Sequence, residues 1–250
     1  MVPNERINVK AVLFDYDDTI MDVSEARNYA KQVIARELSL ITNLDQDSIL
    51  RVIGDVETLM ESTGQFDRRV WFRKVVDVLN VDLDDNYVNE LVRVYWDSWR
   101  LKSRLFPDAM PTLSELRRCG LRLGIVTNTD GEPGLKRDRI RKDGVEDLFD
   151  VIVIAGDDTV HVKPHPEPFI KALQALNMHA NEILYVGDRL EVDVPGAKAV
   201  GMHVALIDRH STHNAEINYP GGLRPDLILH ALTELIGLLG CGNVIIKSII

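Results

Sequence analysis

The sequence predicts an α/β fold in which a parallel sheet, covered by helices on both faces, is interrupted near its start by an all-helical block. Three observations carry this expectation. Short, continuous apolar runs recur along the chain, and each stops abruptly at polar residues; strands buried on both faces read in this way, whereas half-exposed strands alternate. Helical patterns separate the later runs, as crossovers between parallel strands require. From about Asp22 to Leu105, by contrast, every legible segment has helical spacing and no strand is obvious.

In chain order, Val9 to Phe14 (VKAVLF) is the first strand and ends in Asp15-Tyr16-Asp17-Asp18. The helical block follows, with segments at Glu25 to Leu38, Asp47 to Ile53, Arg68 to Leu79 and Asn86 to Leu101. Asp67 can cap the third segment and Asp84 or Asp85 the fourth. Trp71, Val75, Val78 and Leu79 fall on one stripe of the third. The α/β pattern resumes at Phe106-Pro107-Asp108. Leu121 to Val126 is a strand ending at Thr127-Asn128, Val151 to Ala155 one ending at Gly156-Asp157-Asp158, and Ile183 to Val186 one ending at Gly187-Asp188. Met202 to Ile207 is a fifth strand, with helices at Pro166 to Leu176 and Pro195 to Val200. Pro225 to Leu229 reads as an edge strand and Ala231 to Leu239 as a final helix; the apolar stretch Cys241 to Ile250 has no firm assignment.

Composition bounds the function. The 250 residues are 45% hydrophobic and 27% charged, the balance of a globular protein. The longest apolar runs fall far short of the ~20 residues that span a bilayer, and Met1 to Lys10 has charges but no apolar secretory core, so a cytoplasmic location is expected, with no membrane partner. A net charge of −10 argues against nucleic acid as a partner. Two cysteines, Cys119 and Cys241, are expected to be unpaired buried thiols.

In open parallel sheets, ligands bind beyond the carboxyl ends of the strands, and polar clusters stand at those ends here. Asp15 and Asp17 would point to opposite sides within a strand, but where the strand ends and the loop curls both can converge. One can then attack as a nucleophile while the other protonates a leaving oxygen; a divalent metal would relieve their repulsion. Alone, the same residues are as well read as a solvated acidic turn. Thr127-Asn128 can hold phosphate oxygens through a hydroxyl and backbone N–H groups, though Thr-Asn-Thr-Asp-Gly is also ordinary turn chemistry. Lys163 lies on a loop stiffened by Pro164, Pro166 and Pro168, where an ammonium can be aimed into an acidic pocket. His161 and His165 flank it, but a spacing of four on a proline-locked loop is not the helical pairing of zinc enzymes, and no histidine metal site is assigned. Asp188 offers the oxygen ligands that Mg²⁺ prefers. Asp193 either caps the helix opening at Pro195 or orients Lys163 or a metal-bound water.

The ordered set Asp15-x-Asp17-x-Thr19, Thr127-Asn128, Lys163-Pro164 and Gly187-Asp188 with Asp193 resembles the four motifs of the haloacid dehalogenase superfamily. The resemblance covers about residues 7–21 and 105–210, and the helical insertion resembles that family's cap. It implies a Rossmann-like parallel sheet core (residues 1–21 and 105–250) with an inserted α-helical cap domain (residues 22–104). It further implies Asp15 as nucleophile, Asp17 as general acid and base whose carbonyl binds Mg²⁺, Thr127 and Asn128 as phosphoryl-binding residues, Lys163 as charge stabiliser and Asp188 as metal ligand, with Thr19 and Asp193 in support. Two departures stand out: Asp18 replaces a frequent Gly, and Arg189 a small polar residue.

Asp17 separates the chemistries within the resemblance, because an alkoxide leaving group needs a proton and a halide does not. The expected activity is therefore Mg²⁺-dependent hydrolysis of small phosphorylated metabolites through an aspartyl-phosphate, in a monomer or homodimer. A phosphomutase, a phosphonatase, a haloacid dehalogenase or a non-catalytic binding protein are the alternatives. Arg68, Arg69, Arg73 and Arg100 are candidates for a mutase's second phosphate site, and Lys31 and Lys74 for a phosphonatase's Schiff-base lysine.

Overall fold

The computed structural model describes residues 8–209 and 222–241; the apolar tail after Cys241 lies outside them. The chain divides into two compact units, one of Met1–Met21, Leu105–Asn128 and Ile140–Ile250, the other of Asp22–Arg104 and Thr129–Arg139. Thr129–Arg139, left with the α/β part in the sequence reading, groups with the helical unit.

The first unit is a six-stranded sheet: β1 (Ala11–Phe14), β4 (Arg122–Asn128), β5 (Val151–Ala155), β6 (Ile183–Gly187), β7 (His203–Ile207) and β8 (Leu227–Leu229), in the order β5-β4-β1-β6-β7-β8. Every neighbouring pair is parallel. The central strands are apolar throughout because helices cover both faces; β1 and β6 are buried along their whole length. The sheet helices are α5 (Ala109–Arg118), α7 (Glu167–Leu176), α8 (Asp193–Ala199) and α9 (Glu234–Leu238), and α5 is an element that the sequence reading left unassigned. One face of the core packs Leu13, Tyr185, Phe169, Ala172, Val194 and Leu206 together. Phe169 stands edge-on to Tyr185, with ring centroids 5.0 Å apart.

The strand order sets the site. After β1 the chain builds outward on one side through β4 and β5, then crosses to the other side through β6, β7 and β8. The reversal falls at β1, where loops leave in opposite directions and open a crevice. The registers Phe14↔Ile125 and Phe14↔Val186 set Gly187, the end of β6, level with Asp15, while β4 runs on past it through Thr127 and Asn128; the Asp15 N–H continues the ladder to the Val186 carbonyl at 2.8 Å.

The second unit contains α1 (Ser24–Thr42), α2 (Gln46–Ser62), α3 (Arg68–Val78) and α4 (Asp85–Lys102). Asp45, Asp67 and Asp84 each cap a helix, accepting the N–H of Ser48, Arg69 and Tyr87 at 2.8 Å; of the two candidates for α4, Asp84 is the cap. Trp99 is core, and Trp96 is half-buried against it with ring centroids 5.6 Å apart. Asp130 binds Lys136 at 2.8 Å and Arg139 at 2.9 Å. Two short strands missed in the sequence, β2 (Met21–Asp22) and β3 (Arg104–Leu105), pair where the chain leaves and rejoins the first unit; at two residues each they carry no periodicity to read.

Of the two thiols, Cys241 is buried but Cys119 is exposed, correcting the expectation that both are buried. They are not disulfide-bonded, and the Cys119 thiol donates to the Cys241 carbonyl at 3.4 Å. Phe169 is fully buried and touches both α8 and β6, so Phe169→Ala is expected to cost about 3–5 kcal/mol, read as a lower midpoint in urea with an unchanged slope.

Candidate active site

Asp15 follows the last residue of β1 and is buried. The next six residues curl back on themselves: Ile20 and Met21 both donate to the Tyr16 carbonyl at 2.9 Å, and Asp18 donates to the Met21 carbonyl at 2.7 Å. Asp18 takes the left-handed conformation, φ 59°, which glycine adopts freely and Asp tolerates better than most residues. That accounts for the departure seen in the sequence. Thr19 is fully buried and its hydroxyl reaches toward Asp188 Oδ1 at 3.5 Å. Asp17, half-buried in the same turn, pairs through its backbone with Met21.

Lys163 is the hub. Its ammonium lies 2.9 Å from Asp15 Oδ1, 2.7 Å from Asp193 Oδ1 and 2.9 Å from the Tyr185 hydroxyl. The contact with Asp15 is an ion pair with poor alignment, and that oxygen has no well-formed hydrogen bond. The Lys163 backbone N–H donates to Asn128 Oδ1 at 2.9 Å, fastening the loop to the end of β4, and the Lys163–Pro164 bond is cis.

Asp193 is not a helix cap. It occupies the first turn of α8 behind Val192, and its carboxylate accepts from Lys163 and from the Arg189 N–H at 2.9 Å, with the Tyr185 hydroxyl 3.0 Å away. Gly187 makes this possible: a Cβ there would lie 2.3 Å from Asp193 Oδ2. Arg189 is exposed, and its backbone N–H is the group that meets Asp193. Thr127 is buried near the end of β4.

Two contributors were missed in the sequence. Tyr185 accepts from Lys163 and donates to either the Val126 carbonyl or Asp193, both at 3.0 Å. Burial, reinforced by Asp193 and Asp15, holds its hydroxyl well above the usual tyrosine range. The Asn128 side chain is the other. A tyrosine inside an apolar strand reads as core, and only its position two residues before Gly187 hints at more.

One oxygen from each of Asp15, Asp188 and Asp193 lies within 4.8 Å of the others. Three carboxylates against one ammonium leave two negative charges in a buried place. Burial first, then Asp193, push Asp15 up despite Lys163; burial, then Asp15 and Asp193, push Asp188 well above the usual carboxylate range. Burial pulls Lys163 down, but Asp15 and Asp193 outweigh it and hold the ammonium above its ordinary value. An all-oxygen donor set with a charge deficit of two fits a hard divalent cation such as Mg²⁺. Since Asp193 is already engaged by Lys163 and the Arg189 N–H, Asp15 and Asp188 are the carboxylates left to hold it.

A carboxylate facing a buried lysine and flanked by further carboxylates thus stands at the end of a central parallel strand, where open parallel sheets bind their ligands. A family model for haloacid dehalogenase-like hydrolases matches residues 9–201. The glyceraldehyde 3-phosphate phosphatase of Methanopyrus kandleri is 31% identical over 211 residues, 83% of this chain and 88% of that protein. The phosphoglycolate phosphatase of Salmonella choleraesuis is 29% identical over 246 residues, 93% of each. Among solved structures, a HAD phosphatase from Thermococcus onnurineus superposes with a TM-score of 0.68 at 29% identity, covering 94% of this chain and all of that one. The chain belongs to the haloacid dehalogenase-like hydrolase family.

Two outcomes follow from the electrostatics. Because the folded-state pKa of Asp188 is raised, its protonated form favours folding; that contribution is complete below about 3.8, the ordinary value, and is lost as pH rises through the raised value. Asp188→Asn is therefore expected to raise the melting temperature in EDTA at neutral pH and to abolish the gain that Mg²⁺ gives the unsubstituted protein, both read by calorimetry. Tyr185→Phe leaves one Lys163 N–H without its partner and should lower kcat roughly tenfold, about 1.4 kcal/mol of barrier, with KM little changed.

Proposed function

We propose that this protein is a magnesium-dependent phosphatase of small phosphorylated metabolites that works through an aspartyl-phosphate on Asp15. The observation carrying this reading is the pairing of the buried Asp15 carboxylate with Lys163 at 2.9 Å, inside a carboxylate cluster two charges short of neutrality.

An oxygen of Asp15 attacks phosphorus as the bond to the leaving oxygen breaks, and Asp17 supplies the proton which that oxygen needs. Water then attacks the aspartyl-phosphate, with Asp17 taking its proton back, and inorganic phosphate and free Asp15 result. The Thr127 hydroxyl and the Asn128 backbone hold the phosphoryl oxygens. Lys163, fixed by Asp193, Tyr185 and Asn128, balances charge on Asp15 and on the phosphoryl group. A Mg²⁺ ion held by Asp15, Asp188 and the Asp17 carbonyl would neutralise phosphate charge. The helical unit serves as the substrate-selecting cap domain.

Hydrolysis is favoured over the alternatives by the cationic side chains of that unit. Arg69, Arg73 and Arg100 are each paired with a neighbouring acid, Asp67, Asp85 and Asp97, and Arg68 is buried with its guanidinium 3.5 Å from the centre of the Trp71 ring. Lys31 binds Glu57 at 2.7 Å and Lys74 is exposed, so neither is the desolvated amine that a Schiff base calls for. Glyceraldehyde 3-phosphate and phosphoglycolate head the substrate candidates, since both name activities of relatives covering most of this chain.

A panel of phosphate esters assayed for phosphate release, with Mg²⁺ and with EDTA, tests the reading; no turnover across the panel would favour a binding protein. Uncatalysed phosphate-monoester hydrolysis is among the slowest reactions that enzymes accelerate, so Asp15→Asn should be folded and inactive. Asp17→Asn should still form a trace of aspartyl-phosphate from para-nitrophenyl phosphate, whose leaving group needs no proton. Full activity in Asp15→Asn would end the proposal.

A further inference from the structure

The loop between β5 and α7 carries, beside Lys163, three side chains that phosphoryl transfer does not use. His161 and His165 bracket Lys163-Pro164, and Glu167 opens α7. Lys163 points inward and is buried, while both histidines are exposed. Pro164, Pro166 and Pro168 fix φ at three positions in five and so limit how far this loop can rearrange.

Within that frame the two imidazoles stack, with centroids 3.9 Å apart and planes 17° from parallel. Glu167 Oε2 accepts the His161 backbone N–H at 2.9 Å and lies 2.7 Å from the ring nitrogen Nδ1 of the same residue. A carboxylate can only accept, so the His161 Nδ1 carries the proton in the metal-free protein. A cation that displaces that proton would lie between Nδ1 and Oε2 and be bound by both. The Glu167 N–H donates to His165 Nδ1 at 3.2 Å and steadies the second ring. One donor atom from each of the three residues lies within 4.8 Å of the others.

We propose that His161, His165 and Glu167 form a transition-metal site of the Zn²⁺ type, separate from the acidic cluster. Imidazole nitrogen selects Zn²⁺ over Mg²⁺, whereas the all-oxygen set at Asp15 and Asp188 does the reverse. Tetrahedral Zn²⁺ with bonds near 2.0–2.1 Å asks its ligands to approach to about 3.3 Å. Exposed side chains reach that by small rotations, and the fourth position stays open to water. The ligands stand on both sides of Lys163, so a bound ion ties together the two ends of the segment that aims the lysine. This sequence spacing alone gave no reason to assign a metal; Glu167, brought over the histidines by the turn into α7, supplies the third donor.

The test is calorimetric titration of Zn²⁺ into the whole protein in excess Mg²⁺, so that Mg²⁺ competes for the acidic cluster. Uptake of one equivalent is expected, weakened at least ~10-fold in His161→Ala and in His165→Ala and unchanged in Asp188→Asn. Imidazole NMR signals of His161 and His165 in the unsubstituted protein should shift or broaden with the first equivalent, a readout that depends on no variant. No uptake, uptake indifferent to both histidine substitutions, or uptake lost in Asp188→Asn overturns the proposal.

Discussion

The rim beyond β1 holds more negative charge than its ammonium can balance, and most of the site's construction follows from that. Asp15, Asp188 and Asp193 crowd within 4.8 Å, where burial makes every uncompensated charge expensive. The protein meets part of the cost internally. Lys163 donates to Asp193 and Tyr185 and pairs its charge with Asp15, and Asp193 takes a further backbone N–H from Arg189. What remains unbalanced is concentrated on Asp15 and Asp188, whose pKa values are both raised. Under the proposed reading, a divalent cation supplies the missing positive charge, and through it a phosphate dianion is accepted by a chain of net charge −10.

Topology makes this assembly inexpensive in the unfolded chain's terms. The charged residues are separated by up to 178 positions, Asp15 to Asp193, yet each needs only to follow its strand. Parallel pairing of β4, β1 and β6 fixes the heights of the strand ends relative to one another. Asn128 then ties Lys163 to β4, and Gly187 lets Asp193 press against β6. The apolar strands supply the burial energy that allows so polar a rim to be held in place.

The strands, the helical insertion and the ordered motifs were legible because each rests on local pattern: apolar runs, helical spacing, acidic caps. The family and the sheet follow from those. Less legible were features that exist only through space. Tyr185 looks like one more apolar position of ILYVG, since nothing local announces that its hydroxyl meets Lys163. The ambiguity over Asp193 had the same origin, because a capping aspartate and a lysine-orienting one look alike before the loop is folded. Thr129–Arg139 gave no signal of its grouping with the helical unit, which depends on contacts such as those of Arg139 with Trp96 and Trp99.

Asp17 draws the two halves of the chemistry together. Two residues from Asp15, it could have been a fourth carboxylate in an overcrowded cluster. It is instead held in a turn where Asp18 adopts φ 59° and the chain folds back onto the Tyr16 carbonyl, and the cluster is completed by Asp188 and Asp193 from β6 and α8. A group that must give up and recover a proton near neutral pH cannot be locked into a salt bridge with a lysine, because the ammonium would keep it ionised. Lys163 lies within 2.9 Å of an oxygen of each of Asp15, Asp193 and Tyr185. Under the proposed reading, that division gives the ammonium to the nucleophile and leaves proton transfer, with the leaving group and then with water, to Asp17.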